Sequence, residues 1–434
     1  MMVLMNLLRG IEGCFTLRLI KKILTNSLWL LIGNSIGRLS MFVTNIMAAR
    51  LLSQEVFGQF MMLRSTISIF ESIVSGSLGS PIIKRVAESS HQKENLNSVI
   101  NAIFFINITI ILLLSILLLI FTPWIVETYF LGKVNLVNAF YIAILLLAGT
   151  ILSSLIQGIL IGLEEYKRIA FSGILTSIIS LPLIIYFIYN FNFYGAIFGV
   201  ACYFIIDFLI KYIQFKKVYI SEILKQNKKQ LLIEIKNLLN SSKYLLYSTI
   251  IISLTFWYAR VFIINKTDSF ENIAIFDAAF QWLSIIMIIT GATTSVALPM
   301  MSKVIGMKSQ DEKKVFNINL FVNLFISIFI MIIFIIFSEN IMSLYGENYI
   351  QGSSTLIILA ISSIFFTLYS IYNKWMVSHK QTKSILLSNI IAAIVLFGVL
   401  NFSSFEGTVI LALSFGSFYF TNFLVLVISK KNIG

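Results

Sequence analysis

Six ionisable side chains fall inside runs of sequence that are otherwise apolar: Arg38, Arg64, Glu71, Asp207, Arg260 and Asp277. Their types limit the chemistry open to them. Arginine keeps its charge when buried, and its planar fork of N–H donors matches the oxygens of a phosphate. A carboxylate in the same setting takes up a proton, holds a cation or neutralises an arginine. The polar residues around them recur at helical spacing. Ser27, Asn34, Arg38 and Asn45 share one face, and Arg64, Ser68, Glu71 and Ser75 another. Thr249, Ser253, Trp257 and Arg260 form a third stripe, and Asp277, Gln281, Ser284, Gly291 and Ser295 a fourth. Such stripes predict the walls of a shared polar interior. They also have a purely structural use. Arg38 or Arg64 with Glu71, and Arg260 with Asp277, can be salt bridges that hold helices together, and small polar residues are common packing contacts in membranes.

The elements that position these residues follow from composition. The 434 residues are 58% hydrophobic and 12% charged, with a mean hydropathy of +0.93. A soluble protein carries roughly twice that charge fraction. Apolar runs near 26–48, 56–80, 97–121, 136–161, 169–190, 194–214, 243–264, 271–298, 315–337, 353–373, 383–402 and 405–428 each approach the ~20 residues that cross a bilayer. The expectation is an all-α polytopic membrane protein with about twelve spans. Residues 1–25, apolar with Arg9, Arg18, Lys21 and Lys22 interspersed, lack the order of a signal peptide and are expected to lie at the interface. Spans one to six (26–214) and seven to twelve (243–434) form two lobes, joined by a basic linker, 215–242, whose apolar residues also recur at helical spacing.

Of the 32 lysines and arginines, 26 fall on the side that holds the N-terminus, the linker and the tail, and only Arg50, Lys133 and Lys266 on the other. The positive-inside rule then places both termini in the cytoplasm. The net charge of +13 is explained by topology and headgroup contact, without nucleic acid. The lobes resemble each other weakly at an offset of about 216 positions, which aligns Arg50 with Lys266, Glu55 with Glu271 and Phe60 with Phe276. With six spans each, both repeats enter from the same side, as in transporters built of parallel bundles with the substrate between them. Asp207 is expected towards the cytoplasmic end of span six, away from the other buried charges, while Arg50 and Lys266 add positive charge at the outer rim.

Covalent chemistry finds no support. Cys14 and Cys202, like His91 and His379, are isolated in sequence, and neither a Walker A nor a dinucleotide-binding motif is present. The expectation is a non-enzyme with no catalytic residue, no metal and no cofactor.

The stretch "AARLLSQEVFGQF" (48–60) resembles the A-R-x-L-(6)-[YF]-G pattern of bacterial polysaccharide-type flippases, through Ala49, Arg50, Leu51, Phe57 and Gly58. "RVFIINKTDSFENIAIFDAAF" (260–280) is similar to the corresponding passage between spans seven and eight. These are the Wzx-like O-antigen flippases of the multidrug/oligosaccharidyl-lipid/polysaccharide (MOP) exporter superfamily. The resemblance implies a MATE-like fold of two six-helix lobes around a cavity. It implies a flippase that moves undecaprenyl-pyrophosphate-linked oligosaccharide units (O-antigen, capsule or a related surface polysaccharide) across the bacterial cytoplasmic (inner) membrane by alternating access. The implied partners are that glycan and membrane lipids, with polysaccharide polymerase and chain-length regulator proteins alongside.

Related lipid II flippases carry arginines near the pyrophosphate in their first two spans, where Arg38 and Arg64 occupy similar places. Arg260 and Asn34 complete the set of cavity candidates, Arg50 and Lys266 mark the rim, and Glu71, Asp207 and Asp277 are candidate coupling acids for a cation gradient or the membrane potential. The sequence departs from the pattern in having Ala259 where an acidic residue often precedes the span-seven arginine, and in lacking the two extra lipid-groove helices of lipid II flippases. Two other classes are weighed. A cation-coupled multidrug antiporter of the same superfamily calls for an acidic cavity. A membrane glycan polymerase or ligase calls for a large outer loop, whereas 122–135 is short.

Overall fold

The computed structural model describes residues 14–89, 93–219, 231–235, 238, 243–306, 311–379, 381–402, 405 and 407–431. Among these the long elements are helices: α1 (Cys14–Leu51), α2 (Gln54–Ser89), α3 (Lys93–Tyr129), α4 (Val134–Gly162), then the helical stretch Tyr166–Val218, and after the linker α7 (Lys243–Thr267), α8 (Glu271–Gly306), α9 (Asp311–Ile336), α10 (Ser353–Ser378), α11 (Thr382–Phe402) and α12 (Gly407–Lys431). A short helix, Ser338–Ser343, and a 3-10 turn, Glu347–Gly352, lie between α9 and α10.

Tyr166–Val218 is 53 residues long but reverses at Asn192, whose φ of 47° leaves the helical region. A Cβ on Gly195 would lie 1.9 Å from the Phe187 carbonyl oxygen, and the rings of Phe187 and Phe198 are 5.0 Å apart. Residues eight or more apart touch this way only if the chain doubles back, since a straight helix rises 1.5 Å per residue. The stretch is therefore two spans, α5 (166–191) and α6 (193–218), as the apolar runs predict. Ten helical stretches among the described residues are long and apolar enough to cross a membrane, this hairpin being one of them. Dividing the hairpin and adding α1 brings the number among the described residues to twelve.

Helix boundaries run past the apolar runs, because charged and polar residues at span ends extend the same hydrogen-bonded ladder into the headgroup layer. Residues 14–25 continue directly into α1, and 215–218 belong to α6. Residues 1–13 and most of 220–242 lie outside the described residues.

α1 to α6 pack mainly among themselves through α1–α5/α6, α2–α4 and α4–α5/α6, and α7 to α12 through α10–α12, α11–α12, α8–α10 and α7–α11. α2 bridges the two sets by packing on both α7 and α8. α3 and α9, which carry no charge in their centres, turn large apolar side chains outward, including Leu112, Leu113, Ile116 and Ile120 on α3, and Phe321, Phe325 and Phe329 on α9. This is the lipid-facing surface expected of a bilayer protein, where a continuous apolar exterior carries no cost.

On the lysine-poor side the two lobes are joined tightly. Glu55, in the first turn of α2, accepts hydrogen bonds from the Phe270 backbone N–H (2.8 Å) and the Ser269 hydroxyl (3.1 Å), and pairs with Lys133. Its carboxylate thus caps the N-terminus of α8, where unpaired N–H groups favour negative charge. Gly58 makes the contact sterically feasible: a Cβ there would lie 2.0 Å from the Phe270 carbonyl oxygen. Arg50 Nε donates to the Leu344 carbonyl (2.7 Å), and Phe57 is fully buried against Tyr349. The Arg50, Phe57 and Gly58 positions of the sequence motif therefore serve the joint between the lobes.

The hairpin generates a prediction. Gly195→Val drives a side chain into the Phe187 backbone and should lower the melting temperature of the detergent-solubilised protein, by an amount equivalent to about 1–3 kcal/mol. Gly398, where an added Cβ would meet nothing within 4 Å, accepts alanine without loss. Thermal unfolding followed by intrinsic fluorescence compares the two.

Candidate functional site

Between the lobes, on the lysine-rich side of that joint, lies a cavity of about 790 Å³. Its inner end is lined by Asn45 and Gln281, and it extends past Arg38 and Glu71 to Gln157, Ile169 and Lys211 beside the α4–α5 turn. Among the described residues, ionisable groups enter from the N-terminal lobe alone. The C-terminal lobe contributes Gln281, Ser284 and an apolar run of Ile285, Met287, Ile288 and Ile289, all on α8.

Arg38 owes its position to the glycines before it. A Cβ on Gly33 would lie 2.6 Å from the Ala170 Cα, and one on Gly173 would lie 2.7 Å from the Gly33 carbonyl oxygen. A Cβ on Gly37 would lie 2.9 Å from the Tyr203 hydroxyl. Gly33 and Gly37, four apart on one face, bring α1 onto the α5–α6 hairpin at backbone contact, as small residues do between membrane helices. The adjacent Arg38 is exposed to the cavity, and among the described residues no side chain pairs with it. Glu71 lines the same cavity but makes no ion pair with Arg38.

Arg64 lies one layer back. Its Nη1 donates to Asn45 Oδ1 (2.7 Å), its guanidinium sits 5.5 Å from the Phe60 ring, and Glu71 acts on it through space. It supports the wall through Asn45 and is absent from the lining. Asn34 lies on α1, with its side chain outside those described.

Asp207 lines the cavity with Arg38 and Glu71, which corrects the expectation that it stands away from the other charges. The reason is the hairpin, which folds α6 back beside α1 and α4. Asp207 is 6% exposed and pairs with Lys211 (2.5 Å), while Ser153 and Thr176 (3.2 Å) donate to it. Lys211 donates also to Gln157 (2.8 Å) and Ser153 (3.2 Å), so all three of its N–H groups are used. Lys211, Ser153 and Gln157 were not among the sequence candidates. The i, i+4 spacing of Asp207 and Lys211 is the signal that pairs them.

Arg260 and Asp277 are joined in the interior of the C-terminal lobe, with Arg260 Nη2 2.7 Å from Asp277 Oδ1. Arg260 also donates to the Phe256 carbonyl and lies 5.3–5.6 Å from the rings of Phe276, Phe280 and Phe415. Both residues are buried, and neither lines the cavity. Arg50 and Lys266 are exposed on the lysine-poor face, apart from the cavity.

Two bundles of spans enclosing a cavity are an architecture shared with solved membrane transporters. The chain superposes on a multidrug resistance MATE family transporter of the MOP superfamily in its inward-facing conformation with a TM-score of 0.73, at 15% identity over 92% of this chain and 96% of the other. A MOP superfamily transporter from Pyrococcus furiosus Vc1, described as having a binding pocket of reverse polarity that suggests a different function, gives 0.68 at 17% identity over 94% and 93%. No curated protein matches the chain in sequence. Residues 23–305 match the model of the polysaccharide biosynthesis protein family, and residues 244–403 that of MatE. The chain belongs to the polysaccharide biosynthesis protein family, and its multi-pass helical fold is that of the transporters it superposes on.

The contrast between the arginines is testable. Arg260→Gln leaves the buried Asp277 carboxylate without its partner and should destabilise the protein by about 3–5 kcal/mol. Arg38→Gln removes a group with no described protein partner and should leave the melting temperature within a degree or so of wild type. Thermal unfolding of the two variants in the same detergent decides it.

Proposed function

We propose that the protein carries a polyprenyl-pyrophosphate-linked oligosaccharide from the lysine-rich face of the membrane to the other, and that this membrane is the bacterial cytoplasmic (inner) membrane with both termini inside. The observation that carries the reading is the Arg38 guanidinium, facing a cavity of about 790 Å³ with no described protein partner. A charge kept in a bilayer protein without a protein partner is an expense that a ligand can explain. A doubly charged, oxygen-rich group such as pyrophosphate suits guanidinium donors best. Family membership points to a glycan on the same lipid.

In this reading Arg38 holds the pyrophosphate, and Arg64 acts behind it by fixing Asn45. Arg260 belongs to the frame of the C-terminal lobe. Of the candidate coupling acids, Glu71 is the one in the cavity wall with no ion pair among the described residues, whereas Asp207 and Asp277 are each bonded to a cation. Glu71 is therefore the acid best suited to take up a proton when cargo leaves. The lobes rock about the α2–α7 and α2–α8 contacts, opening the joint at Glu55 and closing the cavity on the lysine-rich side. A multidrug antiporter for cations is disfavoured by the unpaired arginine.

Native mass spectrometry of the protein extracted in its own lipid tests the proposal. The wild type should carry a polyprenyl-pyrophosphate glycan, and Arg38→Gln should lose it by roughly ten- to hundred-fold, the range expected for one charged hydrogen-bonding partner. Bulk phospholipid alone on the wild type, or unchanged glycan on the variant, overturns it.

A further inference from the structure

The inner end of the cavity has a different character from the rest. Asn45 lies seven residues beyond Arg38 on α1, which is about 10 Å along the helix axis. Its Oδ1 accepts the hydrogen bond from Arg64 (2.7 Å). Because a guanidinium offers only donors, this bond fixes the amide with its oxygen towards Arg64 and its NH₂ turned away. No described residue accepts from that NH₂.

Gln281 repeats the arrangement from the opposite lobe. Its Oε1 is engaged by the Tyr345 hydroxyl (3.3 Å), and its Nε2 has no hydrogen-bond partner although the side chain is only 8% exposed. A buried N–H left unpaired costs about 1–3 kcal/mol, and a small rotation of the Gln281 side chain, which lines the cavity, turns this donor to an acceptor there. Between the two amides, Phe42 in the wall meets Trp282 edge-to-face, with centroids 4.8 Å apart. The ionised donors that face the cavity, Arg38 and Lys211, both lie nearer the lysine-rich side.

We propose that Asn45 and Gln281 form a carbohydrate subsite, one amide from each lobe, whose N–H groups donate to hydroxyl or acyl oxygens of the first sugars of the cargo. This rests on the lipid-pyrophosphate reading above and adds the orientation of the cargo: pyrophosphate at Arg38, glycan pointing to the closed side. Neutral amides beside the Phe42 ring suit sugar oxygens and C–H groups, whereas phosphate is served by the Arg38 guanidinium 10 Å or so away. The engaged oxygens give the subsite its selectivity, because each amide keeps its NH₂ without a described acceptor and a head group lacking acceptors leaves it unpaired.

The test uses the full chain in lipid nanodiscs and two probes, undecaprenyl pyrophosphate and undecaprenyl-pyrophosphoryl-N-acetylglucosamine, with affinities measured by equilibrium binding. The wild type should prefer the glycosylated probe by about ten-fold, the value of a neutral hydrogen bond that the bare lipid cannot make. Gln281→Met removes one donor pair at nearly constant volume, and Asn45→Asp removes the other while keeping an acceptor for Arg64. Each should bring the ratio of affinities towards one. Arg38→Gln should weaken both probes and leave the ratio unchanged. The ratio isolates the sugar contact from any general effect on folding or charge. A wild-type ratio of one, or an unchanged ratio in both variants, overturns the subsite while the pyrophosphate reading stands. Failure of the wild type to bind either probe overturns both.

Discussion

The cost of placing a charge in hydrocarbon organises this molecule. A single ionised side chain at the centre of a bilayer is unfavourable by about 3 kcal/mol on insertion scales, so each of the six within the spans must face protein or water. The structure answers each one differently. Arg260 and Asp277 neutralise each other inside a shell of three phenylalanines. Asp207 takes a lysine and two hydroxyls. Arg64 is given an asparagine oxygen and an aromatic face. Arg38 and Glu71 are left on the cavity wall. The first two solutions build rigid lobes, the third shapes the wall, and the last leaves a charged surface on which a ligand can act.

Rigid lobes are useful to a carrier only if they can part, and the contacts between them are of a different kind from those within. The lysine-poor side is held by the Glu55 cap on α8, the Arg50 bond to Leu344 and the seat of Phe270 on Gly58. Further along α2 the joint is made by single hydroxyl contacts, Ser72 with Ser253 (2.6 Å) and Thr66 with the Trp257 indole (2.8 Å). These are polar and few, and each group in them finds water or headgroup as a substitute once the lobes separate. The asymmetry of the cavity adds to this. Among the described lining residues, charge comes from one lobe, while the other presents amide, hydroxyl and aliphatic groups.

Much of this was legible in the sequence, and the parts that were not share a cause. Twelve apolar runs, the linker and the lysine asymmetry are local or summed properties, and the runs return as helices, with the hairpin at Asn192 separating two spans that helical hydrogen bonding alone would merge. Arg38 and Asn45 on α1, and Gln281 and Ser284 on α8, share the cavity wall as their 3.6-residue periodicity predicts, whereas of the α2 stripe Glu71 reaches it and Arg64 does not. The placing of individual charges was less legible. Asp207 is distant in sequence from Arg38 and shares a cavity with it because α6 folds back beside α1. Arg64 and Arg260 have the same periodicity as Arg38, yet one supports the wall and the other lies in the frame of its lobe, according to which neighbour each helix presents to it. Lys211 lies near the end of its apolar run, and its three acceptors come from α4 and α6.

The sequence by itself determined that this chain crosses a membrane many times, which helix faces are polar, and that its family motif lies between spans one and two. These follow from composition and periodicity, which act over a few turns of one helix. Only the tertiary structure decided which charges cancel, which stay open to the cavity, and that Gly33 and Gly58 are points of close backbone approach. Those outcomes depend on the crossing of helices far apart in the chain, and an approach that leaves no room for a Cβ is set by the packing of whole lobes.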